Sequence, residues 1–435
     1  MNIATEVEVR TGPRASSDSE IDVSSLIEID RVHASLFLDE EIFQLEMEKI
    51  FKRGWVYVGH ESEVPLPGSF QRKRLGLVEV LLTRDQDGDV HVIQNACPHR
   101  GAVVCKPRSG EARALKCSYH GWTFRNDGSN IGIPLPDAYT DQPRCGSSMP
   151  RLPRVESYRG LVFASFEETG ISLEAHLGDA APFIDRYIDR SPSGSIAVTG
   201  EQRSQVHCNW KFATDNTTDG YHARFVHRGV FWNHYPTVGQ TSAESANDFD
   251  GGSKIINLGN GHQVVDWGPA RATSGAGKID LPAELATSYE QALHDGLGPE
   301  RAASVLNEPV PHLFIFPNLF LIQNDLRVFT PLSPSEMSYD TYFWAMEGVD
   351  PEINRLRHKQ HQRFYSPSSG FVLSDDLAQY EQLQIGLTGG ATSWLDQSRG
   401  MHREKLNPKT GNIEGVTTDE VGTRGMWQHY KEVMT

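Results

Sequence analysis

The chain has 435 residues, with 57 acidic against 41 basic side chains and a formal net charge of −16. That length supports two domains, and the acidic balance excludes the basic surface that a nucleic-acid binder or a protein held on anionic lipid needs. Five cysteines (Cys97, Cys105, Cys117, Cys145 and Cys208) are too sparse for a disulfide framework, so a reducing cytoplasm is the expected location.

Residues 1–40 read as a partly mobile N-terminal segment, polar and without periodicity at first, and Met1–Glu8 lacks the basic and apolar parts of a signal peptide. A helix is expected over Asp39–Lys52, with acidic residues opening it, basic ones closing it and Gly54 ending it. From Trp55 the pattern turns to short strands, including Val78–Thr83 and Val90–Ile93 joined by the hairpin signal Asp87-Gly88. Leu161–Phe166 is a further strand, and a boundary follows near residue 168. Gly and Ser cluster over 238–277. That stretch reads as a solvated connection in preference to a mobile flap. A helix opens at Pro282. Two buried strands between Leu313 and Ile322 are separated by Pro317-Asn318, and Arg327-Val328-Phe329 continues the strand pattern. Helices follow at Asp376–Leu387 and Gly425–Met434, the latter with a core stripe of Met426, Trp427, Tyr430 and Val433. No apolar run reaches a membrane span, so no membrane association is expected.

The chemistry begins with two Cys/His clusters. The first is Cys97-Pro98-His99-Arg100-Gly101. The second is Cys117-Ser118-Tyr119-His120-Gly121-Trp122. Each offers one thiolate and one imidazole. Two Cys on one iron and two His on the other make a Rieske [2Fe–2S] centre. A structural zinc site uses the same residue types, but usually as a Cys pair followed by a His pair. A Cys97–Cys117 disulfide would leave both histidines unexplained. The Gly after each pair suits a tight loop whose amides turn toward sulfur.

A second constellation lies at 209–227. His222 and His227 are five apart, so a single straight helix cannot aim both along one face. Asp219 precedes His222 by about one turn. Two histidines and a carboxylate make a facial site for non-haem Fe(II), with open positions for O2 and substrate. The carboxylate is either Asp219 or one of the distant pair Asp375-Asp376, which otherwise reads as a helix cap.

The segment Cys97–Trp122 resembles the Rieske signature, including Pro98, Arg100-Gly101 and Gly121-Trp122. Residues 209–227 resemble the iron segment of the large (alpha) subunits of Rieske non-haem iron aromatic ring-hydroxylating oxygenases, with an Asn-Trp-Lys start and D-x2-H-x4-H at Asp219, His222 and His227. The resemblance runs from about Phe43 to Tyr430 and is thin over 236–310. It implies an α+β fold: a small antiparallel β Rieske domain at 41–168, then a helix-grip-like catalytic domain at 169–435 with a curved antiparallel sheet packed by helices. It implies that Cys97, His99, Cys117 and His120 hold the cluster. His222, His227 and Asp376 then hold one Fe(2+), with Asp375 the fallback. Asp219 becomes the electron bridge to a Rieske histidine of a neighbouring subunit, with His120 as its counterpart.

The same resemblance implies O2 as co-substrate and cis-dihydroxylation of an aromatic ring. The benzoate, toluate and cumate group is the best match, which points to an aromatic carboxylate. Arg224 and Arg327 are the cations in the right regions for its charge, with a structural role the competing reading of Arg327. Electrons come from NAD(P)H through a separate reductase and a possible ferredoxin, since no G-x-G-x-x-G fingerprint follows a strand here. Head-to-tail trimers are implied, as α3β3 with a small beta subunit or as α3 alone. The rival readings are a Rieske mono-oxygenase or demethylase, a Rieske electron-transfer protein without the second iron, and a zinc-stabilised structural protein.

Overall fold

The alternating residues that follow Trp55 build antiparallel sheets. A computed structural model describes residues 21–139, 146–229, 253–267, 281–368, 370–390 and 392–435. Val78–Arg84 pairs on one side with Val90–Gln94 and on the other with Ser69–Leu75, which also pairs with Ser109–Glu111. The expected hairpin turn is present, with Asp85 accepting the N–H groups of Asp87 and Asp89, and Gly88 at φ +96°. Leu161–Ser165 lies between Arg154–Tyr158 and Val56–His60. A third sheet joins Leu115–Lys116, Thr123–Phe124 and Asn130–Gly132. Its first hairpin presents the second Cys/His cluster, while the first cluster follows Val90–Gln94.

Among the described residues, nine antiparallel strands form the large sheet. Their order is Ile196–Val206, Glu336–Met346, Asp325–Ser333, Leu319–Ile322, His312–Ile315, His262–Asp266, Lys254–Gly259, Ile413–Gly415, Lys405–Leu406. Side chains alternate between its faces. One face carries Leu313, Ile315, Leu321, Leu326, Val328 and Trp344 and packs on Ile184 and Tyr187 of the helix Ala181–Ile188. The other carries Phe314, Phe320, Phe329 and Tyr339 and packs on Leu373 and Tyr380 of the helix Leu373–Thr388, and on Met426 and Trp427 of Val421–Met434. Leu313–Ile322 contributes apolar side chains to both faces, which is why it reads as one apolar run. Together these sheets and helices make the α+β fold.

Several expectations need correction. Residues 253–267, read as part of a solvated connection, form a hairpin inside the sheet, with Ile255, Val264 and Val265 buried. Asn260-Gly261 supplies both positive-φ positions of its turn. That signal was masked by Gly/Ser-rich flanks, most of which (230–252 and 268–280) lie outside the described residues. The helices Pro299–Asn307 and Pro351–Tyr365 were not foreseen. Pro282 is the N-cap of Ala283–Leu297 and not its first residue. Residues 1–20 lie outside the described residues, but Val23, Ile27, Val32 and Phe37 are core residues, and Arg31–His33 pairs with Trp394–Asp396.

The helix expected at Asp39–Lys52 runs Glu40–Lys49, capped by Asp39. Its Glu46 is fully buried and joins three distant parts of the chain. It accepts the Trp210 indole N–H at 2.8 Å, the Lys211 ammonium at 2.5 Å and the Tyr430 hydroxyl at 2.5 Å.

Candidate metal centres

The two Cys/His loops fold the same way. The Gly101 N–H donates to the Cys97 carbonyl, and the Cys97 N–H donates to that of Ala102, both at 2.8 Å. The Gly121 N–H donates to the Cys117 carbonyl at 3.0 Å, and the Cys117 N–H to that of Trp122 at 2.8 Å. Gly101 and Gly121 take φ +70° and +74°, which a side chain would strain. The loops bring the His99 and His120 rings to 4.5 Å between centroids, and His99 stacks on Trp122. Both thiols are buried. Burial pushes the Cys97 thiol up, while the N–H groups of His99 and Arg100 aim at its sulfur and pull it down. The Cys117 thiol is its hydrogen-bonding neighbour. Amides directed at sulfur, two adjacent thiols and two adjacent imidazoles, one with a buried Nδ1 that lacks a partner, fit a cluster held by both residue types. His120 is exposed, with Tyr119 against its ring. Cys105 stands apart, its backbone clamped by the Asn95 amide.

The 209–227 segment resolves its spacing problem by breaking. Asn209 caps the helix Trp210–Asn216, and a second short helix, Ala223–Val226, has His222 before it and His227 after it. Gly220 permits the break, since a Cβ there would lie 2.3 Å from the Thr417 carbonyl oxygen. The two imidazoles stand at 82° with centroids 5.3 Å apart. Asp376 approaches from the Leu373–Thr388 helix. Its Oδ1 lies 3.5 Å from His222 Nε2 and 3.2 Å from His227 Nε2, and the three ligand atoms all fall within 4.8 Å of one another. Ligands on bonds of about 2.1 Å sit roughly 3 Å apart when adjacent, so this spacing suits one metal ion. Asp376 Oδ1 is buried without a hydrogen-bond donor, a costly state that a cation would relieve. Asp375 is half-exposed, and its carboxylate lies 3.8 Å from the other nitrogen of His227.

Asp219 sits on the outer side of His222, its Oδ2 3.2 Å from Nδ1, and stays partly exposed. Burial disfavours the charged imidazole, but the Asp219 hydrogen bond and the Asp219 and Asp376 charges outweigh it and hold His222 above its ordinary value. Asn216 was not foreseen. Its amide lies 3.2 Å from His222 Nε2 and is held by the Tyr380 hydroxyl at 2.8 Å. Its place in the Asn209–His227 run was the available signal.

The Asn-Trp-Lys start has a physical reason. Asn209 caps the helix, its side-chain amide donates to the carbonyls of Phe37 and Pro334, and its backbone N–H donates to Gln384 Oε1. Trp210 and Lys211 bind Glu46. The segment is therefore fixed both to the N-terminal helix and to the helix that supplies Asp376.

Comparison with known proteins bears on the same two regions. Residues 54–158 match the Rieske [2Fe-2S] domain, and residues 185–435 match the ring hydroxylating alpha subunit (catalytic domain). The chain belongs to the ring-hydroxylating alpha subunits. It is 31% identical to the toluate 1,2-dioxygenase subunit alpha of Pseudomonas putida, over 94% of this chain and 93% of that protein. It is 30% identical to the anthranilate 1,2-dioxygenase large subunit of Acinetobacter baylyi, over 92% and 88%. Naphthalene 1,2-dioxygenase from Rhodococcus sp. shares the architecture at a TM-score of 0.77 and 26% identity, over 93% of this chain and 94% of that one. A quaternary ammonium Rieske monooxygenase, at 18% identity and a TM-score of 0.66, shares the fold. As a ring-hydroxylating alpha subunit the chain is an oxidoreductase, with a Rieske cluster, a mononuclear iron and O2 as its cofactors and co-substrate.

The structure brings the family's sequence motifs together in two groups: Cys97 with Cys117 and His99 with His120, then His222, His227 and Asp376 with Asp219 beside them. Arg327 is buried near Asp376, whereas the Arg224 side chain and His234 lie outside the described residues. His207, read as structural, exposes its ring, and its backbone N–H is what Glu381 holds.

Proposed function

We propose that this chain is the terminal oxygenase component that cis-dihydroxylates the ring of an aromatic carboxylate. The supporting observation is the cluster of His222, His227 and Asp376, one carboxylate oxygen facing two imidazole Nε2 atoms. The reaction joins an arene, O2, two electrons and two protons into a cis-dihydrodiol. In this reading Cys97, His99, Cys117 and His120 hold the cluster, and His222, His227 and Asp376 hold the iron. When bound, the cluster would supply electrons one at a time and the iron would offer open positions for O2 and substrate.

The chain's own residues do the positioning. Asp219 orients His222 and, being partly exposed, faces the electron's route of arrival from an exposed His120 of a neighbouring copy. Phe314, Phe320 and Phe329 are buried in the same core as Leu373 and Tyr380 of the helix that carries Asp376, and keep water from that side of it. Residues 41–168 form the electron-receiving domain and 169–435 the catalytic one. The family works with a reductase or ferredoxin and a beta subunit, and we assign an α3β3 or α3 assembly with NAD(P)H as the ultimate donor. No described helix is long and apolar enough to cross a membrane. We place the protein in the cytoplasm, where those reductants are.

The test is metal content followed by product analysis. About three irons per chain and incorporation of both atoms of labelled O2 into one product are expected. Two irons per chain would leave an electron carrier. A single labelled oxygen in the product would favour the mono-oxygenase reading.

A further inference from the structure

One side chain ties the two Cys/His loops together. Trp122 closes the second loop, its carbonyl accepting the Cys117 N–H at 2.8 Å. Its indole crosses to the first loop and lies flat on His99, with ring centroids 5.1 Å and planes 4° apart. Trp122 is 2% exposed and shares a core with Cys97, Cys117, Leu115 and Phe124, so packing fixes the indole.

The two cluster histidines are therefore set differently. They meet each other at 69°. His120 is exposed, and its further ring neighbour is the exposed Tyr119 beside it in sequence. His99 keeps its face against a buried indole and its Nδ1 buried. Packing alone does not call for coplanar rings, since aromatic pairs settle edge to face as readily as offset-stacked. The other Trp–His pairs among the described residues, His33 with Trp394 and His312 with Trp267, cross at 82°.

Stacking has an electrostatic consequence. An indole face is the negative side of the ring quadrupole and attracts a cation above it. An imidazole bound to iron carries part of the metal's positive charge, and adding one electron to the cluster removes a unit of that charge. The indole therefore favours the oxidised cluster over the reduced one.

We propose that Trp122 is a positioning residue for the Rieske cluster, fixing the plane of His99 and holding the reduction potential down. This rests on the reading that His99 is a cluster ligand.

The test is a spectroelectrochemical titration of the assembled enzyme at one pH, which needs no turnover. Trp122→Leu should keep the Rieske absorption and raise the reduced-to-oxidised ratio at fixed potential about tenfold, or about 59 mV for one electron. Trp122→Phe keeps a ring with a weaker face and should shift the ratio the same way by less. An unchanged or lower potential in either variant that retains the cluster overturns the proposal. Loss of the cluster from both variants also overturns it, by making Trp122 purely structural. His99→Ala checks the ligand reading separately. Retained Rieske absorption there would overturn that reading and this one with it, whereas an unmoved potential beside an essential His99 overturns this one alone.

Discussion

His222 is gripped by carboxylates on both sides: its Nδ1 lies 3.2 Å from Asp219, and its Nε2 lies 3.5 Å from Asp376. Donation from Nδ1–H to Asp219 fixes the tautomer and leaves the Nε2 lone pair aimed at the metal position. Asp219→Asn keeps an acceptor oxygen for that bond but removes the charge. We expect iron content and cluster absorption to persist while turnover falls by about 100-fold. Normal turnover in that variant would remove Asp219 from the electron route.

The third ligand is testable by iron content alone. Asp376 is buried with an unpaired oxygen, whereas Asp375 is half in solvent. Asp376→Ala should lose the mononuclear iron and keep the cluster's absorption. Asp375→Ala should keep both. The opposite pattern would exchange the two assignments.

Lys211 and Glu46 form an ion pair from which water is wholly excluded. Removing one partner of such a pair costs about 3–5 kcal/mol, because the other charge stays buried. Lys211→Met should therefore lower the denaturation midpoint sharply. Adding Glu46→Gln should recover part of the loss. A single variant as stable as wild type would show that the pair contributes little.

Glu420 gives a pH signature. Burial lifts its carboxyl from an ordinary 4.5 to about 7, against the pull of the Arg399 N–H and with some help from Asp219. Between those values the folded chain holds a proton that the unfolded chain has released. Stability from this group is full below about pH 4.5, falls as pH rises through about 7, and is flat beyond. Glu420→Gln should be more stable than wild type by roughly 1–3 kcal/mol at pH 8, after discounting for partial exposure. The gain should vanish near pH 4.5. Denaturation at the two pH values checks this, and a gain independent of pH would refute it.

The residues proposed to hold the cluster stood out in the sequence because their chemistry is local. A Cys, a His and a closing Gly must share one tight loop, and that requirement is written in consecutive residues. Asp376 was not legible by spacing, since an Asp pair opening a helix also serves as a cap, and only the fold sets one of the two against His222 and His227. Glu46 was less legible still. On a helix rich in charge it reads as solvent-facing, and only contact with Lys211, Trp210 and Tyr430 makes it a buried hub. The hairpin at 254–266 carried its own turn signal at Asn260-Gly261 but was obscured by its neighbours' composition.

The Glu46 hub also sets an order of maturation. Its three partners stand 164, 165 and 384 residues further along the chain, so the hub is complete only once Tyr430 has been synthesised. A fragment cut at residue 168 would strand Lys211 without its counter-charge, so the catalytic half cannot be excised as an autonomous piece.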